Sequence, residues 1–166
     1  MKSQTCCFIG QRDIEPSDYT PLGIRLEEEI VKLIQQGVRY FTVGGDTGFD
    51  SIAAFAVLRL KMEHPHIQLV LMRPFKAYAR VLDRPGKKIY NLIRRKADKV
   101  VYISKRYTPG CIFARCQHLA ESSAFCLCYL AEPKSGIAHT IRRARQQGLR
   151  VINLARTPLH ILLPPP

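Results

Sequence analysis

Six short apolar runs recur along the chain: TCCFI (5–9), RYFTV (39–43), IQLVLM (67–72), KVVYI (99–103), AFCLCYL (124–130) and LRVINL (149–154). A stretch of helical period separates each from the next. The runs are mostly continuous rather than alternating, so both faces of the sheet they build must be covered. A helix in every connection makes parallel pairing the natural topology. The expectation is an α/β fold: a single Rossmann-like domain over residues 1–155, with a mostly parallel, doubly wound sheet of about six strands. A proline-rich tail, 156–166, should carry little structure, because its prolines lack donors and fix the backbone.

The helices follow from period and punctuation. In TPLGIRLEEEIVKLIQQG, Thr20 can cap, Pro21 suits the first turn and Gly37 the end, and Leu22, Leu26, Ile30, Leu33 and Ile34 make one apolar face. A second helix is expected over about 49–62. Residues 74–85 read as irregular, and a basic helix is expected over about 86–97 with Ile89, Leu92, Ile93 and Ala97 inward. Two more are expected over 110–123 and 136–148.

Charge narrows the class of partner. The chain has 26 Lys+Arg against 13 Asp+Glu, and the excess is local. Residues 76–99 hold nine basic and two acidic residues, and 134–166 hold six basic and none acidic. Such patches suit an anionic partner, nucleic acid or nucleotide, or else are solvated helix faces. No apolar run reaches the roughly 18–20 residues of a membrane span. MKSQTCCFIG lacks a secretory h-region, so a cytoplasmic protein with no membrane partner is expected. The six cysteines then read as reduced thiols. None forms a CxxC pair, and no metal site is expected.

In an open parallel sheet, ligands bind beyond the carboxyl ends of the strands, where strand order reverses. The residues after each run are therefore the candidates. They are Gly10, Gln11 and Arg12; Gly44, Gly45, Asp46, Gly48, Phe49 and Asp50; Arg115; and Ser135, Gly136 and Thr140. Glycines let backbone N–H groups approach a ligand, and a helix N-terminus favours negative charge. VGGDTGFD is neither GxGxxG nor a Walker loop, so alone it reads either as a phosphate cradle or as a tight turn. Asp46 and Asp50 oppose an anion there, and either could instead cap the helix or bond a ribose hydroxyl.

TCCFIGQRD, VGGDTGFDSIAAFAVLRLK, HIQLVLMRP, ADKVVYIS, YTPGCIFARCQHLAESS and SGIAHTIRRARQQGLRVINL, in that order over nearly residues 5–154, resemble the YpsA-like family of the SLOG superfamily, named for the Smf/DprA and LOG proteins. The resemblance implies a Rossmann-like fold and a nucleotide-type ligand. It implies a pocket more than a reaction, since the family's own members have no well-defined activity. Its Gly-His-Arg turn falls on Gly10, Gln11 and Arg12, and its glycine turn on Gly44, Gly45, Gly48, Phe49 and Asp50. Its Arg-Asn pair falls on Arg115 and Cys116, and its Gly-Gly-Thr turn on Ser135, Gly136 and Ile137, with Thr140 one turn on. Gln11, Cys116, Ser135 and Ile137 are departures that remove polar groups from the expected pocket.

Three functions follow as expectations. The first is a nucleotide-sensing protein without strong catalysis, requiring no cofactor beyond a bound nucleotide. The second is a LOG-like nucleoside monophosphate phosphoribohydrolase. The relatives' glutamate is absent after Gly136, so Asp50 or Glu121 would have to replace it. The third is a DprA-like single-stranded nucleic-acid-binding module using Lys76, Arg80, Arg84, Lys87, Lys88, Arg94, Arg95 and Lys96, with Tyr78 and Tyr90 as stacking residues. Self-association into a homo-oligomer is compatible with such a domain, but no apolar stripe marks an interface.

Overall fold

A computed structural model describes residues 1–155; the tail expected over 156–166 lies outside the described residues. The strands are β1 (Thr5–Gly10), β2 (Tyr40–Val43), β3 (Gln68–Phe75), β4 (Lys99–Ser104), β5 (Phe125–Tyr129) and β6 (Arg150–Asn153). The helices are α1 (Tyr19–Gln35), α2 (Phe49–Leu60), α3 (Arg84–Lys96), α4 (Cys111–Glu121) and α5 (Gly136–Gln146). All pairings are parallel, in the order β4-β3-β2-β1-β5-β6. The chain is thus an α/β protein of Rossmann-like fold.

Period two along each strand sorts side chains to two cores. Phe8, Phe41, Val43, Leu69, Leu71 and Leu127 pack with Leu22, Leu26 and Ile30 of α1, Ala53 and Val57 of α2, and Tyr90 and Ile93 of α3. Cys7, Ile9, Met72, Cys126 and Cys128 pack on the other face with Leu119 of α4 and Ile141 and Ala144 of α5. Three helices therefore cover one face and two the other. The thinner cover, over β1, leaves room for a ligand.

Several local expectations are corrected. Helix α1 starts at Tyr19, after a 3₁₀ turn at Pro16–Asp18, so Thr20 lies inside it and caps nothing. The carboxylate of Asp18 instead accepts bonds from Arg25 at 3.1 Å and from the Tyr129 hydroxyl at 3.0 Å. Strand β3 runs on past Met72 through Arg73 and into Pro74 and Phe75, the first two residues of the stretch expected to be irregular. Register pairs Val43 of β2 with Leu71, so beyond Leu71 only β4 borders β3 and the missing proline donor leaves a free edge unpaired. A 3₁₀ turn follows at Tyr78–Val81. Helix α3 begins at Arg84, capped by Asp83, which accepts the Gly86 N–H at 2.8 Å. Its inward stripe is Ile89, Tyr90, Ile93 and Ala97, whereas Leu92 is 41% exposed.

Candidate functional site

Strand order reverses at β1, which lies between β2 and β5. Beyond its carboxyl end is a cavity of about 420 Å³, within the usual size range of small-ligand sites. Of the sequence candidates, Gly10, Arg12, Asp46, Asp50, Arg115, Gly136 and Thr140 line it, as do the departure positions Cys116 and Ile137. Phe8, Ile9, Ile112, Phe113 and Leu119 complete the wall. Gln11, Gly44, Gly45, Gly48, Phe49 and Ser135 are not part of the lining.

The glycines explain that division. A β-carbon on Gly44 would stand 2.7 Å from an Asp50 carboxylate oxygen and 2.9 Å from Arg115 Cζ. Gly48, at φ +80°, presses its backbone on that of Arg12, a conformation and an approach that a side chain would block. Gly10 makes room for the Phe49 ring, and Gly45 for Leu71. These glycines approach the protein itself. Around Gly136, by contrast, no atom lies within 4 Å of an added β-carbon, so space is open at the first residue of α5.

Gln11 fastens the same corner. Its carbonyl accepts the Phe49 N–H at 3.1 Å, and its side-chain oxygen accepts the Ala131 N–H at 2.7 Å. The residue standing where the family has a histidine thus ties the turn after β1 to the loop after β5. Ser135 precedes α5 without capping it, and its buried hydroxyl oxygen has no partner.

The charged groups form one connected cluster. Asp46 Oδ2 accepts from Arg115 Nη2 at 2.8 Å, and Asp46 Oδ1 accepts from the Tyr78 hydroxyl at 2.5 Å. Arg12 Nη2 lies 3.9 Å from Asp46, on a side chain 60% exposed. Burial pushes the Asp46 carboxyl up, but the Arg115 charge and the bonds from Arg115 and Tyr78 outweigh it and hold it below the ordinary carboxylate range. Asp50 accepts the Gly44 N–H at 3.0 Å. Burial, with the Asp46 charge beside it, raises Asp50 to about 7. Burial lowers Arg115, but Asp46 overrides it, so the net shift is upward and the guanidinium stays charged. Burial lifts the Cys116 thiol above its ordinary range. The apolar part of the wall comes from Ile112, Phe113, Leu119 and Ile137, and the Phe113 ring stacks on His139.

Tyr78 and Tyr90 are corrected: both are 2% exposed and cannot stack on a base. They hold Arg73, whose Cζ sits 3.3 Å from the Tyr90 ring centroid and 4.9 Å from that of Tyr78. Of the cavity wall, sequence reasoning missed the apolar residues Phe8, Ile9, Ile112, Phe113 and Leu119, and it also missed the buried Arg73. A lone cation in the apolar run IQLVLMRPF was the available signal for Arg73. The eight basic residues from Lys76 to Lys96 are all exposed, and among the described residues none has a carboxylate within salt-bridge distance. Among these residues no helix is long and apolar enough to cross a membrane, and no cluster of metal-ligating side chains occurs.

The fold is similar to that of DNA processing protein A (DprA) from Streptococcus pneumoniae, at a TM-score of 0.65 and 15% identity over 90% of this chain and 50% of that one. It is also similar to DprA from Helicobacter pylori, described for its single-stranded DNA binding mode, at 0.63 and 18% identity over 90% of this chain and 64% of that one. In sequence the chain is 34% identical over 112 residues to a UPF0398 protein of Halalkalibacterium halodurans, covering 66% of this chain and 59% of the relative. It is 23% identical over 146 residues to the prophage-derived protein YoqJ of Bacillus subtilis, covering 78% and 85%. The chain therefore spans about three fifths of the UPF0398 relative. The YspA SLOG family (YpsA) matches residues 15–151, a stretch running from the turn before α1 into β6 and holding most of the cavity wall, and the chain belongs to that family.

Proposed function

We propose that the cavity binds an anionic, nucleotide-type ligand and that the protein senses this ligand rather than turning it over rapidly. The observation carrying this reading is the pairing of one apolar wall with one polar corner, where Arg12 and the open start of α5 stand beside the Arg115–Asp46 pair, in a single cavity at the strand-order switch. The uncapped first turn of α5 offers the Gly136 and Ile137 N–H groups and the positive end of a helix dipole to a phosphate. Arg12 is the mobile cation beside it, because its one carboxylate contact is long. Ile112, Phe113, Leu119 and Ile137 suit the flat faces of a base.

Both carboxylates are already engaged, which argues against strong catalysis. A phosphoribohydrolase needs a carboxylate free to activate water or stabilise an oxocarbenium-like centre. Asp46 is held by Arg115 and Tyr78, and Asp50 accepts the Gly44 N–H. Thermal shift against a nucleotide panel tests the reading. A rise in Tm with one class of nucleotide is expected, and a folded protein that shifts with none sinks it.

A second reading has its own observation. The unpaired cations of α3 and the turn before it form a face suited to a phosphodiester backbone, as in a module that binds single-stranded nucleic acid. The likeness to a DprA described for single-stranded DNA binding supports this face loosely. An affinity for oligonucleotides that does not fall between low and moderate salt would count against it.

A further inference from the structure

The charged side chains that line the cavity nearly cancel: Arg12 and Arg115 stand against Asp46 and Asp50. Arg115 is already committed. It is buried and donates to Asp46 at 2.8 Å. It also faces Asp50, because a β-carbon on Gly44 would stand 2.9 Å from Arg115 Cζ and 2.7 Å from Asp50 Oδ2. One guanidinium therefore serves two carboxylates. Arg12 is the cation left for a ligand, and Asp46 lies 3.9 Å from it. Any anion that Arg12 holds is thus close to a carboxylate.

The balance turns on one proton. With both aspartates ionised, the lining has no net charge to set against an anion, and the N–H groups at the start of α5 stand alone. With Asp50 protonated, the lining carries one positive charge. Burial, with Asp46 beside it, already raises Asp50 to about 7, so neutral solution holds the wall between these two states. An anion beside Arg12 brings one more negative charge into the cluster and favours the protonated form further. Linkage makes the effect reciprocal, so the proton also favours the anion. The groups facing Asp50 are Asp46 from the turn after β2, Arg115 and Cys116 from α4, and Arg12 from the turn after β1. His139 of α5 stacks on Phe113 of the same wall.

We propose that the cavity takes a nucleoside phosphodiester, a ligand whose phosphate bears a single charge, and takes it up together with a proton held by Asp50. One charge on the ligand matches one on the lining. A terminal phosphate carries nearly two charges at neutral pH and a diphosphate more. The excess would have to leave water beside Asp46 with no further cation to meet it. The inference rests on the pocket reading above and adds to it the charge class of the ligand and the proton that accompanies it.

The test uses AMP, its 5′-phosphate methyl ester and ADP in calorimetry at about pH 6 and about pH 8. The ester keeps one charge throughout, so its own titration does not intrude. At the higher pH wild type is expected to bind the ester about tenfold more tightly than AMP, the worth of one unmatched charge, and ADP more weakly still. AMP or ADP binding as tightly as the ester sinks this inference alone. Ester affinity should fall about tenfold from the lower pH to the higher, as Asp50 loses its proton. Asp50→Asn should abolish that fall and hold the affinity at its acid value. A pH-independent ester affinity in wild type, or an undiminished fall in Asp50→Asn, overturns the proposal. If Asp50→Asn does not fold, calorimetry near pH 7 in buffers of different ionisation enthalpy decides, on wild type and His139→Gln. Proton uptake with the ester in both supports the proposal, and uptake in neither, or lost with His139, overturns it. Wild type that binds none of the three probes sinks the pocket reading and this inference together.

Discussion

Gly48 and Arg12 meet backbone to backbone: a β-carbon on Gly48 would stand 2.1 Å from the Arg12 carbonyl oxygen. The two turns, after β1 and after β2, are therefore built as one piece, with the Phe49 N–H donating to the Gln11 carbonyl across the join. Gly48→Ala should cost about 3 kcal/mol or more, combining positive φ with a clash against backbone that cannot rotate away. Gly136→Ala meets open space and should change stability by no more than about 1 kcal/mol. Urea denaturation of the pair checks this, and equal losses would contradict it.

Arg115 is the cation that lets Asp46 stay ionised in a buried wall. Arg115→Ala should destabilise by about 3–5 kcal/mol, the usual result of stranding a buried charge. Asp46→Asn strands the Arg115 guanidinium in turn, because one amide oxygen cannot serve both Tyr78 and Arg115, and should cost a comparable amount. In a double-mutant cycle the two losses should fall well short of adding; simple additivity would show that the pair does not act as a unit.

The Asp50 carboxyl, raised to about 7, makes stability depend on pH in a definite direction. Unfolded, it titrates near 4. Between about pH 4 and about 7 the folded chain keeps a proton that unfolding releases, so this group's contribution falls as pH rises through that window. Asp46 is shifted the other way, and the stability it lends is lost only in more acidic solution. Asp50→Asn should flatten the decline from pH 5 to pH 7.5 whatever it does to absolute stability. An unchanged slope in denaturant titrations would place the proton elsewhere.

On α3, Lys88 and Arg95 are exposed and carry no packing role. Reversing both to Glu should leave Tm nearly unchanged while weakening single-stranded oligonucleotide binding and making the salt slope shallower. Retained affinity with an unaltered slope would remove this face from the nucleic-acid reading.

The six strands and five helices were legible because apolar period and helix punctuation are local properties of the chain. Strand ends were less so: β3 overruns its expected limit because β4 pairs with it as far as Phe75, which only the paired register reveals. At the site, residue type and position after a strand were enough to name Arg12, Asp46, Asp50, Arg115 and Gly136. What those glycines approach was not legible. The atoms crowding Gly44 include those of Arg115, far along the chain, and those crowding Gly10 belong to Phe49. Tyr78 and Tyr90 misled for a related reason. An aromatic among lysines suggests a stacking surface until the buried Arg73 beneath it is seen.

The position of β5 against β1 bears on how the molecule comes into being. During synthesis β1 emerges first, yet one of its edges stays open until residues 125–129 arrive to pair with it. The cavity wall is divided the same way, with Gly10 and Arg12 made early and Gly136 and Thr140 made late. A nascent chain that stops short of α5 lacks Gly136, Ile137 and Thr140 of the cavity wall. The cavity is therefore complete only when both flanks of β1 are made, and on the reading proposed above a molecule bound there would resist unfolding of both halves at once.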